Sequence, residues 1–109
     1  MKKGEIWYAE IPKGNGYEQS GLRPIVILSE TEANTVVIIP FTSNFQSLKY
    51  PSTIEIKSSK INGLKANSVA LIFQIRAIDK KRLNSKIGAL ESKELKEIDN
   101  ILKNILKLI

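Results

Sequence analysis

The chain has 109 residues, with 17 Lys and Arg against 11 Asp and Glu, which gives a formal net charge of +6. This length fits one domain, and the basic surplus is typical of proteins that meet polyanions, although a solvated surface of an ordinary protein would also account for it. The chain has no Cys and no His, which excludes disulfides, thiolate nucleophiles and Cys-ligated metal sites, and leaves any acid–base chemistry without an imidazole.

No apolar run approaches the roughly 20 residues that span a bilayer. Glu5 and Glu10 interrupt the first apolar stretch, where a secretory signal would need a continuous apolar region. We therefore expect a soluble protein that makes no membrane contact and resides in the cytoplasm.

The first two thirds of the chain are predicted to form short strands separated by turn residues. The segment Gly4–Pro12 alternates partly, which places Ile6 and Tyr8 near a core. Residues 13–22 include three glycines, and this composition predicts a connecting loop of about ten residues, longer than the usual connection.

Two runs rich in apolar and β-branched residues form the predicted centre of the fold. Arg23–Leu28 and Thr35–Thr42 are expected to pair as antiparallel strands, and their nearly continuous apolar character indicates that both faces are covered. A polar loop at residues 44–52 precedes the alternating strand Thr53–Lys57. The segment Ser68–Ile78 is predicted to be the last long strand.

The pattern changes from Asp79 onward. Asp79–Leu83 predicts one helical turn, Lys86–Leu90 a short edge strand, and Glu91 with Ser92 the start of a helix. The apolar stripe of that helix comprises Leu95, Ile98, Ile101, Leu102, Ile105, Leu106 and Ile109. We expect the stripe to pack against the strands; the alternative is that it binds a partner.

These elements predict a mainly β fold with a C-terminal α-helix, in the form of a small, partly open SH3-like or OB-like barrel. We expect a single domain that spans residues 1–109. The barrel is expected to occupy about residues 4–90 and the helix about residues 91–108.

The chain contains no motif for a metal site or for a nucleotide-phosphate site. Neither Asp-x-Asp nor His-Glu-x-x-His occurs in the chain. Gly14–Gly16 resembles part of a glycine-rich loop but lacks the third glycine, the following helix and the lysine that a phosphate-binding loop requires. We therefore predict no metal and no cofactor.

Polar side chains concentrate at the ends of the predicted strands: Glu18, Gln19, Arg23, Thr42, Ser43, Gln74 and Arg76. If the two central strands form a hairpin, Arg23 and Thr42 meet at the same edge. A guanidinium binds phosphate with a planar fork of donors, and a hydroxyl beside it can donate to a further phosphate oxygen. A purely structural interpretation remains open, in which Arg23 pairs with Glu18 and Thr42 caps a turn.

The run Gly16–Pro24, which reads GYEQSGLRP, together with the apolar strand after it resembles the signature of the MazF/PemK toxin family. Gly4–Tyr8 is similar to the opening strand of that family, Pro40–Ser43 to its third-strand motif, and Ser68–Asp79 to its last strand. The resemblance covers essentially the whole chain. Phe73 departs from it, because many members carry an acidic residue before the glutamine, and this departure concerns the substrate-contacting loops.

The resemblance implies a CcdB-like SH3 barrel that forms a homodimer and acts as a sequence-specific, metal-independent endoribonuclease of a type II toxin–antitoxin pair. The implied partners are single-stranded RNA and a cognate antitoxin, and the implied products are a 2′,3′-cyclic phosphate and a 5′-hydroxyl. Residue by residue, the resemblance implies that Arg23 and Thr42 are catalytic. The implied substrate-binding residues are Glu18, Gln19, Ser43, Ser68, Gln74 and Arg76.

Two other functions are compatible with the same barrel. One is a CcdB-like gyrase inhibitor, which acts by binding a protein. The other is a non-catalytic RNA-binding barrel, in which loop lysines contact phosphates and exposed aromatic rings stack on bases. The residues suited to that second role are Lys13, Lys49, Lys57 and Lys65, with Trp7, Tyr17, Phe45 and Tyr50.

Overall fold

The computed structural model describes residues 1–14, 16 and 19–108. Its strands are β1 (Glu5–Ile11), β2 (Gly21–Glu30), β3 (Thr35–Thr42), β4 (Thr53–Ile56), β5 (Ser68–Leu71), β6 (Arg76–Asp79) and β7 (Leu83–Ala89), and its one α-helix is α1 (Ser92–Ile105). Three short 3-10 helices cover Phe45–Lys49, Ile72–Gln74 and Lys80–Arg82.

All the strand pairs are antiparallel, and the sheet runs in the order β4-β5-β3-β2-β1-β7, with β6 also paired to β3. The predicted pairing of the two central strands is confirmed, since β2 and β3 pair antiparallel from Ile25 opposite Pro40 to Glu30 opposite Val36. The mainly β fold with a C-terminal helix is confirmed as well, as an open, barrel-like sheet. Within the described residues, no helix has the length and apolar character needed to cross a membrane.

The prediction of one long strand over Ser68–Ile78 is wrong. Along β3, the three steps from Ile38 to Phe41 face six steps of the partner, from Arg76 back to Ala70. The surplus residues leave the ladder as the 3-10 turn Ile72–Gln74 and separate β5 from β6. Ile72, Phe73 and Gln74 are none of the turn-forming residues Gly, Pro, Asn, Asp or Ser, so the sequence carries no signal for the interruption.

Both faces of the central strands are covered, as predicted. On β2, Ile25 and Ile27 belong to one buried cluster, and Val26 and Leu28 to the other. This division follows from the alternation of side chains along a strand. The continuous apolar run therefore indicates that the strand is buried on both faces, and it does not specify a single inward-facing side.

Helix α1 closes one end of the larger cluster. Ile98 is fully buried, and Leu95, Ile101, Leu102 and Ile105 pack partly buried around it. The stripe therefore packs against the barrel, as predicted, while Leu106 remains 48% exposed and Ile109 lies outside the described residues.

The helix begins where the sequence indicated. Glu91 is the N-cap, and its carboxylate accepts from the backbone of Glu94 while its own N–H donates to the Glu94 carboxylate at 3.1 Å. This reciprocal capping box satisfies two backbone donors that the first turn leaves unpaired.

Asn62 fixes the loop that leads from β4 to β5, and this role generates a first prediction. It is 3% exposed; its Oδ1 accepts from the backbone of Ser59 and of Leu64, both at 3.0 Å, and its Nδ2 donates to the carbonyl of Lys57 at 2.8 Å. Because Asn62→Ala leaves one buried and two part-buried backbone groups without their partner, we expect it to lower the free energy of unfolding by about 3 kcal/mol. Asn100→Ala, on the exposed face of α1, should change it by less than about 0.5 kcal/mol. Urea unfolding of the two variants measures the difference, and equal midpoints would contradict this role for Asn62.

Glu5 generates a second prediction, on pH. The Trp7 indole N–H donates to Glu5 Oε1 at 3.0 Å, and Lys86 Nζ lies 3.3 Å from Oε2; these contacts, the Trp7 hydrogen bond foremost, hold the pKa of Glu5 below its ordinary value of 4.5. Because the pKa of Glu5 is lower in the folded than in the unfolded protein, the ionised carboxylate stabilises the fold at pH values above its unfolded pKa. This stabilisation is lost as the pH falls through the folded pKa. We expect Glu5→Gln to flatten the acid side of the stability curve, measured by urea unfolding between about pH 3 and pH 7. Glu10→Gln, exposed on the same strand, is the control, and an equal flattening in both variants would count against the assignment.

Candidate active site

Arg23 lies two residues into β2, on the strand that follows the long loop. Its Nε donates to the carbonyl of Ser20 at 2.8 Å, which fixes the guanidinium plane at one of its nitrogens. None of the salt bridges between described residues involves Arg23. Among the described residues, no hydrogen bond or ion pair engages its two terminal nitrogens.

Thr42 is the last residue of β3 and is 6% exposed. Ile25 pairs with Pro40 in the β2–β3 ladder, so continuing that register by two residues brings Arg23 opposite Thr42. Thr42 Oγ1 accepts from the backbone N–H of Asn44 at 3.2 Å, which is the turn-capping role predicted as the structural alternative. A hydroxyl that accepts one hydrogen bond still has its proton to donate, so the cap and a role toward a ligand are compatible.

Arg23 and Thr42 both line a cavity of about 240 Å³, which we call the Arg23 cleft. Two of the sequence-predicted substrate residues, Ser43 and Ser68, line it too. The fold thus brings together four predicted residues from three different strands or their ends. Among the residues that line the cleft, the charged ones are Arg23 and Lys65, both cationic.

Lys65 and Tyr8 line the Arg23 cleft although the sequence analysis assigned neither of them to the catalytic site. Lys65 Nζ lies 5.9 Å from the centroid of the Tyr8 ring, within the range of a cation–π contact. The sequence placed Tyr8 near a core and Lys65 among several loop lysines. Only the tertiary structure brings them together, because the loop held by Asn62 carries Lys65 across to β1.

Gln19 and Gln74 line a second, neighbouring cavity of about 450 Å³, which we call the glutamine cavity. The backbone N–H of Gln19 donates to Gln74 Oε1 at 2.8 Å and ties the long loop to the 3-10 turn after β5. Asn44 lines this cavity and donates to Thr42 in the Arg23 cleft. The segment Thr42–Asn44 therefore borders both cavities.

Of the two remaining predicted residues, Arg76 lines neither cavity and Glu18 is not described by the structure. Arg76 pairs with Ile38 in the β3–β6 ladder, four residues before Thr42 on β3, and its Nη1 donates to the carbonyl of Pro12 at 3.5 Å. Glu18 lies outside the described residues, and so does its predicted pairing with Arg23. In the described part of the chain, no three His, Cys, Asp or Glu side chains cluster in a way that could hold a metal ion.

Comparisons with known proteins identify a family and a shared fold. The sequence model of a family described as PemK-like, MazF-like toxin of type II toxin–antitoxin system matches residues 2–106. A curated Endoribonuclease MazF from Staphylococcus saprophyticus is 36% identical over 106 residues, which cover 94% of this chain and 88% of the relative.

Solved structures share the fold. A crystal structure of MazF from Deinococcus radiodurans superposes with a TM-score of 0.80 at 22% identity, covering 98% of this chain and 96% of that one. An endoribonuclease in complex with its cognate antitoxin, from a mycobacterial species, superposes with a TM-score of 0.67 at 18% identity, covering 96% and 91%.

The resemblance drawn from the loop and strand motifs is thereby confirmed over nearly the full chain. Since the family match spans residues 2–106 and a relative with more than a third of its residues identical covers nearly the whole sequence, the chain belongs to the PemK-like, MazF-like toxin family of type II toxin–antitoxin systems.

Proposed function

We propose that this protein is the toxin of a type II toxin–antitoxin pair and a sequence-specific endoribonuclease that cuts single-stranded RNA. The observation that carries the proposal is the juxtaposition of Arg23 and Thr42 across the β2–β3 ladder, in a cleft whose charged lining residues are both basic. A curated relative at 36% identity bears the name Endoribonuclease MazF, which supports the same activity.

The cleft suits a phosphodiester better than a neutral ligand. Arg23 presents its two terminal nitrogens, and Lys65 adds a second cation on the facing loop. A planar guanidinium can bind two phosphate oxygens at once, whereas an ammonium acts as a point charge. Thr42 and Ser43 add neutral donors at the same wall.

RNA supplies its own nucleophile in this proposal. The 2′-oxygen attacks the adjacent phosphorus, the new P–O2′ bond forms, and the P–O5′ bond breaks. The 2′-OH loses its proton and the departing 5′-oxygen gains one, which leaves a 2′,3′-cyclic phosphate and a 5′-hydroxyl. No residue of the protein needs to form a covalent bond, so the enzyme contributes alignment and stabilisation of the pentacovalent phosphorane.

We assign Arg23 and Thr42 to that stabilisation. A guanidinium is not deprotonated in proteins, which disfavours Arg23 as the base that takes the 2′-proton. With Nε held by the carbonyl of Ser20, the two terminal nitrogens can donate to the charge that develops on the phosphorane oxygens, and the hydroxyl of Thr42, which lines the same cleft, can donate beside them. Donors held in place before the reaction stabilise the transition state without reorganising.

The toxin role brings further assignments. We infer a cognate antitoxin as the inhibitory partner, in keeping with the mycobacterial endoribonuclease that is solved with its own. We also infer a homodimer of single-domain chains over residues 1–109 that acts in the cytoplasm, where translated RNA is found. Its activity would need neither metal nor cofactor, because the nucleophile comes from the substrate.

The first test of the function is RNA cleavage in the presence of EDTA, with cut ends mapped by sequencing. We expect discrete cuts by the wild-type protein, and a loss of about 10²- to 10³-fold in kcat for Arg23→Ala, because a preorganised donor to the transition state is removed. Arg23→Lys should lose most of this activity too, since it keeps the charge but not the planar fork.

Thr42 offers a matched pair of variants for the same assay. Thr42→Ser keeps the hydroxyl and should retain most of the cleavage, whereas Thr42→Val replaces the hydroxyl with a methyl group and should not. Absence of cutting by well-folded wild-type protein would overturn the nuclease and favour a non-catalytic RNA-binding barrel or a protein target. If Thr42→Val cuts RNA as fast as Thr42→Ser and the wild-type protein, the Thr42 hydroxyl has no role in the mechanism.

Lys65 generates a prediction on binding. If its ammonium contacts an RNA phosphate, Lys65→Ala should reduce the slope of log affinity against log salt by about 0.7, the value for one phosphate contact on a single strand. Lys93→Ala, exposed on α1 and away from the cleft, should leave the slope unchanged. Fluorescence anisotropy with a single-stranded RNA oligonucleotide at several salt concentrations measures both slopes, and an unchanged slope in Lys65→Ala would contradict the contact.

A further inference from the structure

The loop that leads from β4 to β5 contains a chemically labile dipeptide, Asn62–Gly63. Glycine has no side chain to shield its backbone nitrogen, and its backbone is free to rotate. In an unfolded chain, that nitrogen therefore reaches the side-chain amide of the preceding asparagine easily, and the asparagine deamidates. The chain has one other Asn–Gly dipeptide, Asn15–Gly16.

Deamidation of such a pair proceeds in two steps. The backbone nitrogen of Gly63 loses its proton and attacks Cγ of Asn62. The new N–Cγ bond closes a five-membered succinimide, and the Cγ–Nδ2 bond breaks as ammonia leaves with a proton. Water then adds to one of the two imide carbonyls and opens the ring to aspartate or isoaspartate. The reaction requires the Asn62 amide and the Gly63 nitrogen to rotate towards each other.

In the folded protein, both reacting groups are held by hydrogen bonds. The N–H of Gly63 donates to the carbonyl of Ser59 at 3.0 Å. Nδ2 of Asn62 donates to the carbonyl of Lys57 at 2.8 Å, and its Oδ1 accepts from the backbone N–H groups of Ser59 and Leu64. Rotation of the amide would break these bonds at a side chain that is 3% exposed, which is costly. The fold therefore opposes closure of the succinimide ring.

The same contacts explain why this labile pair stands here. Gly63 has a φ of +68°, and a Cβ at this position would overlap the carbonyl of Ile87 on β7, so the site requires glycine. Position 62 requires asparagine, because an ionised aspartate has acceptors but no donor for the carbonyl of Lys57. We call residues 57–67 the Asn62 loop. It is joined to β7 by the N–H of Ala89, which donates to the carbonyl of Ile61 at 3.0 Å.

We propose that Asn62–Gly63 is a masked deamidation site, which reacts when the Asn62 loop leaves β7 and whose product cannot rebuild the loop. In the aspartate product, a carboxylate oxygen replaces the donor that faced Lys57 and places a charge in a buried site. In the isoaspartate product, the main chain is longer by one methylene group. Either product releases the segment that carries Lys65 to the Arg23 cleft. This last consequence rests on the proposed function, whereas the modification itself does not.

The experiment follows deamidation of the wild-type protein in neutral buffer, with and without a denaturing concentration of urea. Trypsin releases the peptide Ile61–Lys65, whose mass rises when the amide becomes a carboxyl, and chromatography separates the aspartate and isoaspartate forms. We expect the native protein to react at least about 100-fold more slowly than the protein in urea, because only the open fraction reacts. In urea, Asn62 should react about as fast as Asn15, which lies outside the described residues.

Urea below the unfolding transition distinguishes opening of the loop from unfolding of the whole chain. A loop opening exposes little surface, so the deamidation rate should change little with urea in this range. A rate that rises with the full m value of unfolding would mean that Asn62 reacts from the unfolded chain alone, which overturns the proposal.

Ser59→Ala tests the contacts that hold the pair. It removes the hydroxyl that accepts from the backbone N–H of Asn62 at 3.1 Å, and we expect native deamidation to become about fivefold faster, as for the loss of one hydrogen bond. Ser29→Ala, exposed near the end of β2, is the matched control and should leave the rate unchanged. The proposal is overturned if Ser59→Ala reacts no faster than the wild type, or if the native wild type reacts as fast as the protein in urea.

Asn62→Asp makes one of the products directly. Limited digestion with trypsin reports the position of the loop without RNA, because Lys57, Lys60 and Lys65 lie in it. We expect cleavage in the loop at least about tenfold faster than in the wild type, since the open state gains population. Asn100→Asp, exposed on α1, is the control and should be cut like the wild type.

Unchanged digestion of Asn62→Asp would show that the product rebuilds the loop and would overturn the proposal. None of these measurements uses RNA. A protein that fails to cut RNA would therefore refute the nuclease function and leave the deamidation result to be decided by the peptide masses.

Discussion

The register between β2 and β3 is the constraint on which the rest of the site depends. Ile25 opposite Pro40 is a buried pair in the centre of the sheet, and a slip by one residue would turn every side chain of a strand to the other face. Because both faces are apolar and filled, packing complementarity in the two clusters must fix this register. The position of Arg23 relative to Thr42 follows from the core, so the proposed catalytic pair is placed by hydrophobic packing.

Around this ladder, the loops are fixed by hydrogen bonds to the backbone. Ser20 orients Arg23, Asn44 engages Thr42, and Asn62 holds the segment that carries Lys65. These polar contacts have little to do with the size of the core, yet they decide which donors face the cleft. This combination of a packed sheet and hydrogen-bonded loops suits a small domain, in which a rigid sheet can position functional loops without a large interior.

The turn Ile72–Gln74 shows how a break in a regular element can form a cavity wall, since Phe73 and Gln74 line the glutamine cavity. Had the strand continued, Phe73 and Gln74 would have remained in the ladder beside β3. Leaving the ladder costs backbone pairing locally, and the cost is offset by burial of Ile72, which is 0% exposed. The same turn brings Gln74 to the backbone of Gln19, and the glutamine cavity forms between the two segments.

The sequence by itself determined the mainly β architecture, the C-terminal helix with its cap at Glu91, the β2–β3 pairing and the neighbourhood of Arg23 and Thr42. Each of these rests on local signals: strand propensity, helical period, capping residues and the motif of the long loop. Only the tertiary structure decided the interruption after Leu71, the approach of Lys65 to Tyr8, and the separation of Arg76 from the Arg23 cleft. Those outcomes depend on register between residues distant in the chain, and a run such as Ser68–Ile78 has the same local preference whether it pairs continuously or turns aside.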